Sequence, residues 1–336
     1  MGYMLRRICS LSPKKVIYNI RETAKESGKS DIYIFMDMLI CFFKYGAGYI
    51  DYRTYAFYDM QAKMRKTYLT RTGYRNFLLK VNDSQQSRYF DNKALFNKRF
   101  EKYLHRAYLD LSNATFSELC EFLNSHGSKY FVKPAEGEGG KGIWVLEKDE
   151  YVDTEDAANA VFGAKDCVIE EAIVQHPDLQ KLNPDSVNCM RVMTFIDDDK
   201  NPVPIAVMQK IGFKGNVCDN RSIYIMTDPK KGVTVTKGHI VLANGDAVVY
   251  ENHPDYGYEI CGLHIPYVKE AVNMCLKAAL ELPKVRFVGW DVAITPDGAA
   301  IIEGNNFPTQ WDCQYFLSQE GKEGLKSVLK KYTKLL

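Results

Sequence analysis

No stretch of this 336-residue chain approaches the roughly 20 uninterrupted apolar residues that a membrane-crossing helix needs. The best candidate, Ile32 to Phe43, is too short and carries Asp37 near its middle. The basic N-terminus is not followed by an apolar run and a small-residue cleavage site, so a signal peptide is not expected. The nine cysteines are odd in number and scattered, with no C-x-x-C pair. A disulfide framework and a zinc site are therefore not expected, and a reducing, cytoplasmic setting fits better. The six histidines contain no H-x-x-x-H pair, and no G-x-S-x-G marks a hydrolase serine. The kinase signatures H-R-D and D-F-G are missing. Asp197-Asp198-Asp199 lacks EF-hand spacing and reads as a hairpin turn. There is no internal repeat and no low-complexity tract.

What is there suffices for a sizeable core: 46% of the residues are apolar, enough for two or three subdomains. The net charge of +2 hides an asymmetry. Residues 1–106 hold 21 Lys/Arg against 9 Asp/Glu, which is +12, and the remainder is −10. A basic N-terminal third suits an anionic membrane surface, a phosphorylated substrate or nucleic acid, or consists of solvated helix faces. Helical patterns cover 15–28, stopped at Gly28, and 31–45, stopped at Gly46. A Tyr-rich stretch, Tyr49–Tyr58, precedes a basic helix near 61–68. These tyrosines read as core residues or as a glycan-stacking platform. Asn82-Asp83-Ser84 is a boundary signal, followed by a helix at about 91–106. From Lys129 onward short β-rich runs alternate with turns: 130–133, 142–146, 166–170, 190–196, 203–209, 287–294 and 299–303. Helices near 154–163, 267–281 and 319–333 separate or follow them. The pattern is α+β with mostly antiparallel sheets.

The most informative stretch runs from Tyr130 to Val145 and contains Gly137, Gly139, Gly140 and Gly142. A G-x-G-x-x-G followed by a strand-like Ile-Trp-Val-Leu is not the dinucleotide fingerprint, which needs a helix there. The P-loop Lys-Ser/Thr ending is missing too. What remains is a strand, a glycine loop and a strand, with Lys133 on the incoming strand. Such a loop can fold its N–H groups over phosphate oxygens, or it is a flexible surface hairpin.

Residues 287–305 form a second hairpin around Thr295-Pro296-Asp297-Gly298. Asp291 and Glu303 lie six residues either side of Asp297, so they should face one another or fall one position off. Glu303 and Asn305 share a face by the period of two. Carboxylates converging on apolar strands repel unless a cation or proton intervenes, and hard oxygen donors suit Mg²⁺. The bland alternative is a solvated edge with unrelated acids.

A lysine before a glycine hairpin, together with D…E-x-N on a late hairpin, resembles the ATP-grasp superfamily. Val168-Ile169-Glu170-Glu171-Ala172-Ile173 is similar to its hinge, Asn188-Cys189-Met190-Arg191 to its N-x-x-R, and Asp91-Asn92-Lys93 to its first nucleotide lysine. Gln175-His176-Pro177, the run 182–188 and the helical region Asp37–Asp83 resemble the sugar-transfer-associated ATP-grasp group found among bacterial surface-polysaccharide genes. One departure is Arg221-Ser222-Ile223-Tyr224, where that group has a glycine pair after the counterpart of Asp219-Asn220.

The resemblance implies a helical, basic region over 1–84, a first ATP-grasp subdomain over 85–170 and a second over 171–336. It implies two antiparallel sheets clasping ATP. Lys93, Lys133, Glu136, Gly137, Gly139, Gly140, Lys141, Gly142, Glu170, Glu171, Ala172, Ile173 and Asp178 would meet the nucleotide. Asp291, Glu303 and Asn305 would hold Mg²⁺, while Arg191, Lys133 and Asn188 would serve the reaction. The expected activity is an ATP-dependent carboxylate–amine ligase with an acyl phosphate intermediate, in surface-polysaccharide or glycoconjugate assembly. Its substrates would be small or glycan-linked. A sugar-kinase-like phosphotransferase and a non-catalytic nucleotide-binding scaffold are the alternatives. Nucleic acid is not expected as a partner. Contact of the basic third with the inner membrane face or with a lipid-linked sugar stays open.

Overall fold

The structure is a computed structural model that describes residues 12–137, 139–216, 222–242, 244–309, 313–316 and 323–336. Helix α1 (Pro13–Ser27) begins with proline, whose missing N–H has no intrahelical partner to lose at that position. It stops at Gly28, where φ is 67°. Helix α2 (Asp31–Tyr45) is capped by Ser30, which accepts from the Tyr33 amide, and stops at Gly46 with φ 66°. These helices and α3 (Tyr49–Thr54) close over Ile20, Ile34, Met38, Cys41, Tyr52, Tyr55 and Phe57. Tyr52, Tyr55 and Phe57 are wholly buried, so the aromatic stretch contributes core. Asp37, the acid inside the apolar helix, receives both terminal nitrogens of Arg65 at 2.7 and 2.8 Å and the Tyr52 hydroxyl at 2.8 Å. Arg65 is therefore an internal tether, not part of an exposed basic patch.

Helices α4 (Arg71–Val81), α5 (Ser84–Asp91) and α6 (Lys93–Phe100) follow. The helix expected over 91–106 is broken at Asn92, whose side chain caps α6 by accepting from the Leu95 amide. The small sheet has the order β1-β4-β2-β3, built from β1 (Tyr108–Asp110), β2 (Lys129–Pro134), β3 (Trp144–Glu147) and β4 (Cys167–Glu171). Helices α7 (Phe116–Ser125) and α8 (Thr154–Phe162) cover one face of it through Leu119, Leu123, Ala157 and Val161 against Tyr130, Val132, Leu146 and Ile169.

The large sheet follows in sequence: β5 (Met190–Ile196), β6 (Pro202–Gly212), β7 (Ser222–Asp228), β8 (Val233–Thr234), β9 (Gly238–Val241), β10 (Ala247–Tyr250), β11 (Phe287–Thr295) and β12 (Gly298–Asn305). Its order is β10-β9-β7-β6-β5-β11-β12, with β8 on β7, and all its pairings are antiparallel. Helix α9 (Val268–Ala279) and Phe96 and Phe100 of α6 pack on the face that carries Met190, Val192, Trp290 and Val292. Helix α4 and the C-terminal α10 (Leu325–Leu329) pack on the opposite face, against Met193, Phe195 and Phe287. The Asp197–Asp199 run is a turn between β5 and β6, as expected. Asp198 also fastens the C-terminus there, accepting from Arg286, Thr333 and the Lys334 amide.

Candidate nucleotide site

The glycine hairpin joins β2 to β3, with strand and no helix after the loop. Gly137, Gly139, Gly140 and Gly142 all take positive φ, from 68° to 121°, which side-chain-bearing residues rarely adopt. Glu136 and Lys141 are exposed on this loop. Lys93, the first residue of α6, holds the loop from outside: its amide donates to the Ala135 carbonyl at 2.7 Å and its ammonium to the Gly137 carbonyl at 2.9 Å.

Alternation along β2 puts Tyr130 and Val132 into the small core, and Phe131 and Lys133 on the other face. The register Phe131↔Glu170 and Lys133↔Val168 sets Glu170 diagonally beside Lys133, whose Nζ lies 2.7 Å from Oε2. Glu170 is buried and also accepts from Arg106 Nε at 3.0 Å and Asn97 Nδ2 at 2.7 Å. Burial pushes its carboxyl up, but Arg106, Lys133 and the Asn97 hydrogen bond outweigh burial and hold it well below the usual carboxylate range. The guanidinium of Arg106 reaches further, donating from Nη1 to the Ile301 carbonyl at 2.7 Å and from Nη2 to Ile302 at 3.0 Å. One arginine thus ties the lysine-bearing sheet to β12, at the residue before Glu303.

On the large sheet Asp291 stands opposite Glu303 on one side and opposite Arg191 on the other. All three therefore project from one face. Asn305, two residues beyond Glu303, donates to its carboxylate at 3.2 Å. Asp291 is buried, and its oxygens receive Arg191 Nε at 2.5 Å, Arg191 Nη2 at 3.0 Å and Lys210 Nζ at 3.5 Å. Burial raises its carboxyl, and Arg191 and Lys210 more than reverse this. The cation that converging acids require is thus provided in part by the protein: Asp291 carries a paired arginine, while Glu303 remains exposed. Among the described residues no group of three or more His, Cys, Asp or Glu is arranged to hold a metal ion. The candidate donor set is two carboxylates and one amide, all hard oxygen donors on adjacent strands, a set that fits Mg²⁺.

Two expected positions, Asn188 and Asp178, are engaged elsewhere. Asn188 is wholly buried, and its side chain donates to Gln175 Oε1, Leu179 O and Asn183 O and accepts from the Gly212 amide. Its amide is saturated by the 175–188 loop and the Gly212 amide, so it is a scaffold residue. Asp178 sits on a short helix, Pro177–Gln180, with its carboxylate on Lys181 at 3.0 Å and near His176, and among the described residues it makes no hydrogen bond or ion pair with those around Lys133 or Asp291. Glu171 points to the face opposite Glu170 and accepts from the Gly127 amide at 3.1 Å. Ala172 donates its amide to Lys129, and Ile173 follows in the connection out of β4. Cys189 is buried beside Val187. Asp219, Asn220 and Arg221 lie outside the described residues.

Sequence reasoning missed Arg106, Asn97 and Lys210. Lys210 did leave a signal, a lone cation in the largely apolar run from Val203 to Ile211. The structure sets its ammonium 5.7 Å from the Tyr224 ring centroid, on the face of Asp291.

Two antiparallel sheets, a glycine hairpin with its lysine on one and an E-x-N strand on the other, define an ATP-grasp protein. The chain belongs to the sugar-transfer-associated ATP-grasp family, whose model matches residues 73–334. No curated protein sequence matches it. Among solved structures it is similar to an ADP complex of N5-carboxyaminoimidazole ribonucleotide synthetase, at 17% identity and TM-score 0.44, covering 70% of this chain and 51% of that one. It is also similar to D-alanyl-alanine synthetase A from Vibrio cholerae O1 biovar eltor, at 15% identity and TM-score 0.44, covering 73% and 65%. An N5-carboxyaminoimidazole synthetase from Staphylococcus aureus complexed with ADP gives 8% identity and TM-score 0.44, covering 68% and 48%. The chain spans about half the length of the first of these. Among the described residues no helix is long and apolar enough to cross a membrane.

Proposed function

We propose that the chain binds Mg-ATP between its two sheets and uses it to join a carboxylate to an amine in surface-polysaccharide or glycoconjugate assembly. The observation that carries this reading is the Arg106 clamp. Through Glu170 and Arg106, Lys133 of the glycine hairpin and the strand bearing Glu303 belong to one hydrogen-bonded chain.

In this reading Lys93 and Lys133 neutralise phosphate oxygens, and the loop 136–142 folds its N–H groups over them. The connection Glu171-Ala172-Ile173 borders the base. Asp291, Glu303 and Asn305 would hold Mg²⁺, which when bound supplies positive charge to the phosphates. Arg191, whose fork pairs with Asp291, would offer a further N–H to the oxygens of the phosphoryl group in transfer. A carboxylate oxygen attacks the γ-phosphorus, the bond to the bridging oxygen of ADP breaks, and ADP leaves. An amine nitrogen then attacks the acyl carbon, phosphate leaves and the amine proton passes to solvent. Closure of the glycine loop keeps water from the acyl phosphate.

Product analysis tests this. ADP and phosphate should appear together only when both a carboxylate and an amine are supplied, and hydroxylamine should trap the acyl group. A stable phosphorylated product would make the chain a phosphotransferase instead. Binding of ATP without turnover under any acceptor would make it a nucleotide-holding scaffold.

A further inference from the structure

Helix α2 buries Ile34, Met38 and Cys41, yet its opposite side is equally apolar. Ile32, Tyr33, Phe35, Met36, Leu39, Ile40 and Phe43 are all exposed, Ile32 by 77% and Phe43 by 69%. At about 100° per residue these seven fill an arc of about 160° with no charged residue inside it. Lys44 borders that arc. The neighbouring α1 packs against α2, and its exposed arc carries Ile17 and Tyr18 among Lys14, Arg21 and Lys25. The acids of residues 12–48 are Glu22, Glu26, Asp31 and Asp37. Two are ion-paired: Asp37, turned inward, to Arg65, and Glu26, itself exposed, to the buried Arg53.

We infer that this face docks on a lipid bilayer with anionic headgroups, α2 lying in the plane of the interface. An apolar helix face with tyrosine and phenylalanine among the aliphatics, bordered by lysine and arginine, matches the chemistry of that boundary. Charge complementarity favours lipid over a second copy. Residues 12–48 hold six Lys/Arg against four Asp/Glu, two of which are already paired with Arg65 and Arg53, so a two-fold contact through α2 would bring like charges together, whereas an anionic leaflet attracts them. Fifteen residues, about 22 Å of helix, cannot cross the hydrocarbon, so the helix lies on the membrane. The surface stands apart from the nucleotide residues and does not depend on their reading.

The test is co-sedimentation of the full chain with vesicles of phosphatidylcholine alone and of phosphatidylcholine with about 30% phosphatidylglycerol. The wild-type chain should bind the anionic vesicles and be released by salt. The double variant Met36→Glu/Phe43→Glu should lower the partition coefficient by about tenfold or more. Val152→Glu, at a 91% exposed position of the small subdomain, should leave it unchanged. Lys14→Glu/Arg21→Glu/Lys25→Glu keeps the apolar face of α2 and should remove the preference for anionic lipid; it also serves if the first variant fails to fold. Failure of the wild-type chain to sediment with either vesicle, or equal binding by both multiple variants, overturns the inference. A dimer dispersed by Met36→Glu/Phe43→Glu, with no vesicle binding, overturns it in favour of a second copy.

Discussion

Asp291 and Glu303 face each other across two strands, yet they differ in what removal should do. Asp291 is buried against Arg191 and Lys210. Its truncation to alanine takes a carboxylate from two buried cations in a low-dielectric site, which costs about 3 kcal/mol or more. Glu303 is exposed and touches Asn305. Glu303→Gln should therefore leave stability within about 0.5 kcal/mol. Both variants should lose ATP turnover. Denaturant melts beside ADP-release assays check the contrast: equal stability in the two variants would contradict the buried pair, and full turnover in either would contradict the metal assignment. Lys133→Ala should weaken ATP affinity by about 1.5–3 kcal/mol, the range for a charge-assisted hydrogen bond, as read by calorimetry. It also removes one of the two cations beside Glu170. Arg106 remains there, so the fold should survive.

Whole elements meet at Arg106. It holds β4 through Glu170 and β12 through two carbonyls, a task that needs a planar fork. Arg106→Lys keeps the charge but cannot span both partners. The expected result is a stability loss of about 2 kcal/mol and a rise in KM for ATP that exceeds any fall in kcat. Thermal melts and steady-state kinetics would show it, and wild-type KM would refute the clamp. Asn188→Ala should do the reverse. It empties a scaffold of four hydrogen bonds, costing about 3 kcal/mol of stability, while kcat stays close to wild type where the protein is folded.

The two hairpins were legible in the sequence because their information is local. Alternation, a turn signal and glycines at fixed offsets are all that β2–β3 and β11–β12 require. Counting from the turn placed Asp291 against Glu303 or one position off. The true register depends on a bulge between Asp291 and Val292, which shifts the partner from Ile302 to Glu303. Helix α7 had a legible start in Thr115-x-x-Glu118, a capping box that the structure forms, but it was overlooked. Arg106 was not legible: its partners at 170, 301 and 302 are brought to it only by the packing of two sheets. Nor was the role of Asn188, since a motif fixes residue type and spacing but not which hydrogen bonds are satisfied. Strands β8 to β10 were not legible because they are only two to four residues long, too short for an alternation to show.

At the scale of the molecule, acid should act first through buried histidine. His239 on β9 is 1% exposed, stacked on Tyr315 at 4.4 Å and edge-on to Phe316 at 4.3 Å. Burial pulls its imidazole down to about 3. His253, which meets the Gly212 carbonyl, is also lowered by burial. A histidine whose folded value lies below its unfolded value of about 6.5 stabilises the fold fully above 6.5. That contribution is lost as pH falls toward the folded value, because the unfolded chain binds the proton first. The carboxyls of Glu170 and Asp291 are lowered as well, but their contribution is lost only below about pH 4, where the unfolded acids take up protons. Between pH 6.5 and 4.5 His239 therefore sets the slope, up to about 1.4 kcal/mol per pH unit, and His253 adds in the same direction. His239→Phe should flatten that slope and fill the aromatic stack. Denaturant midpoints of both proteins at pH 7.5, 6 and 5 decide it: parallel losses in wild type and variant would show that His239 is not held neutral in the fold.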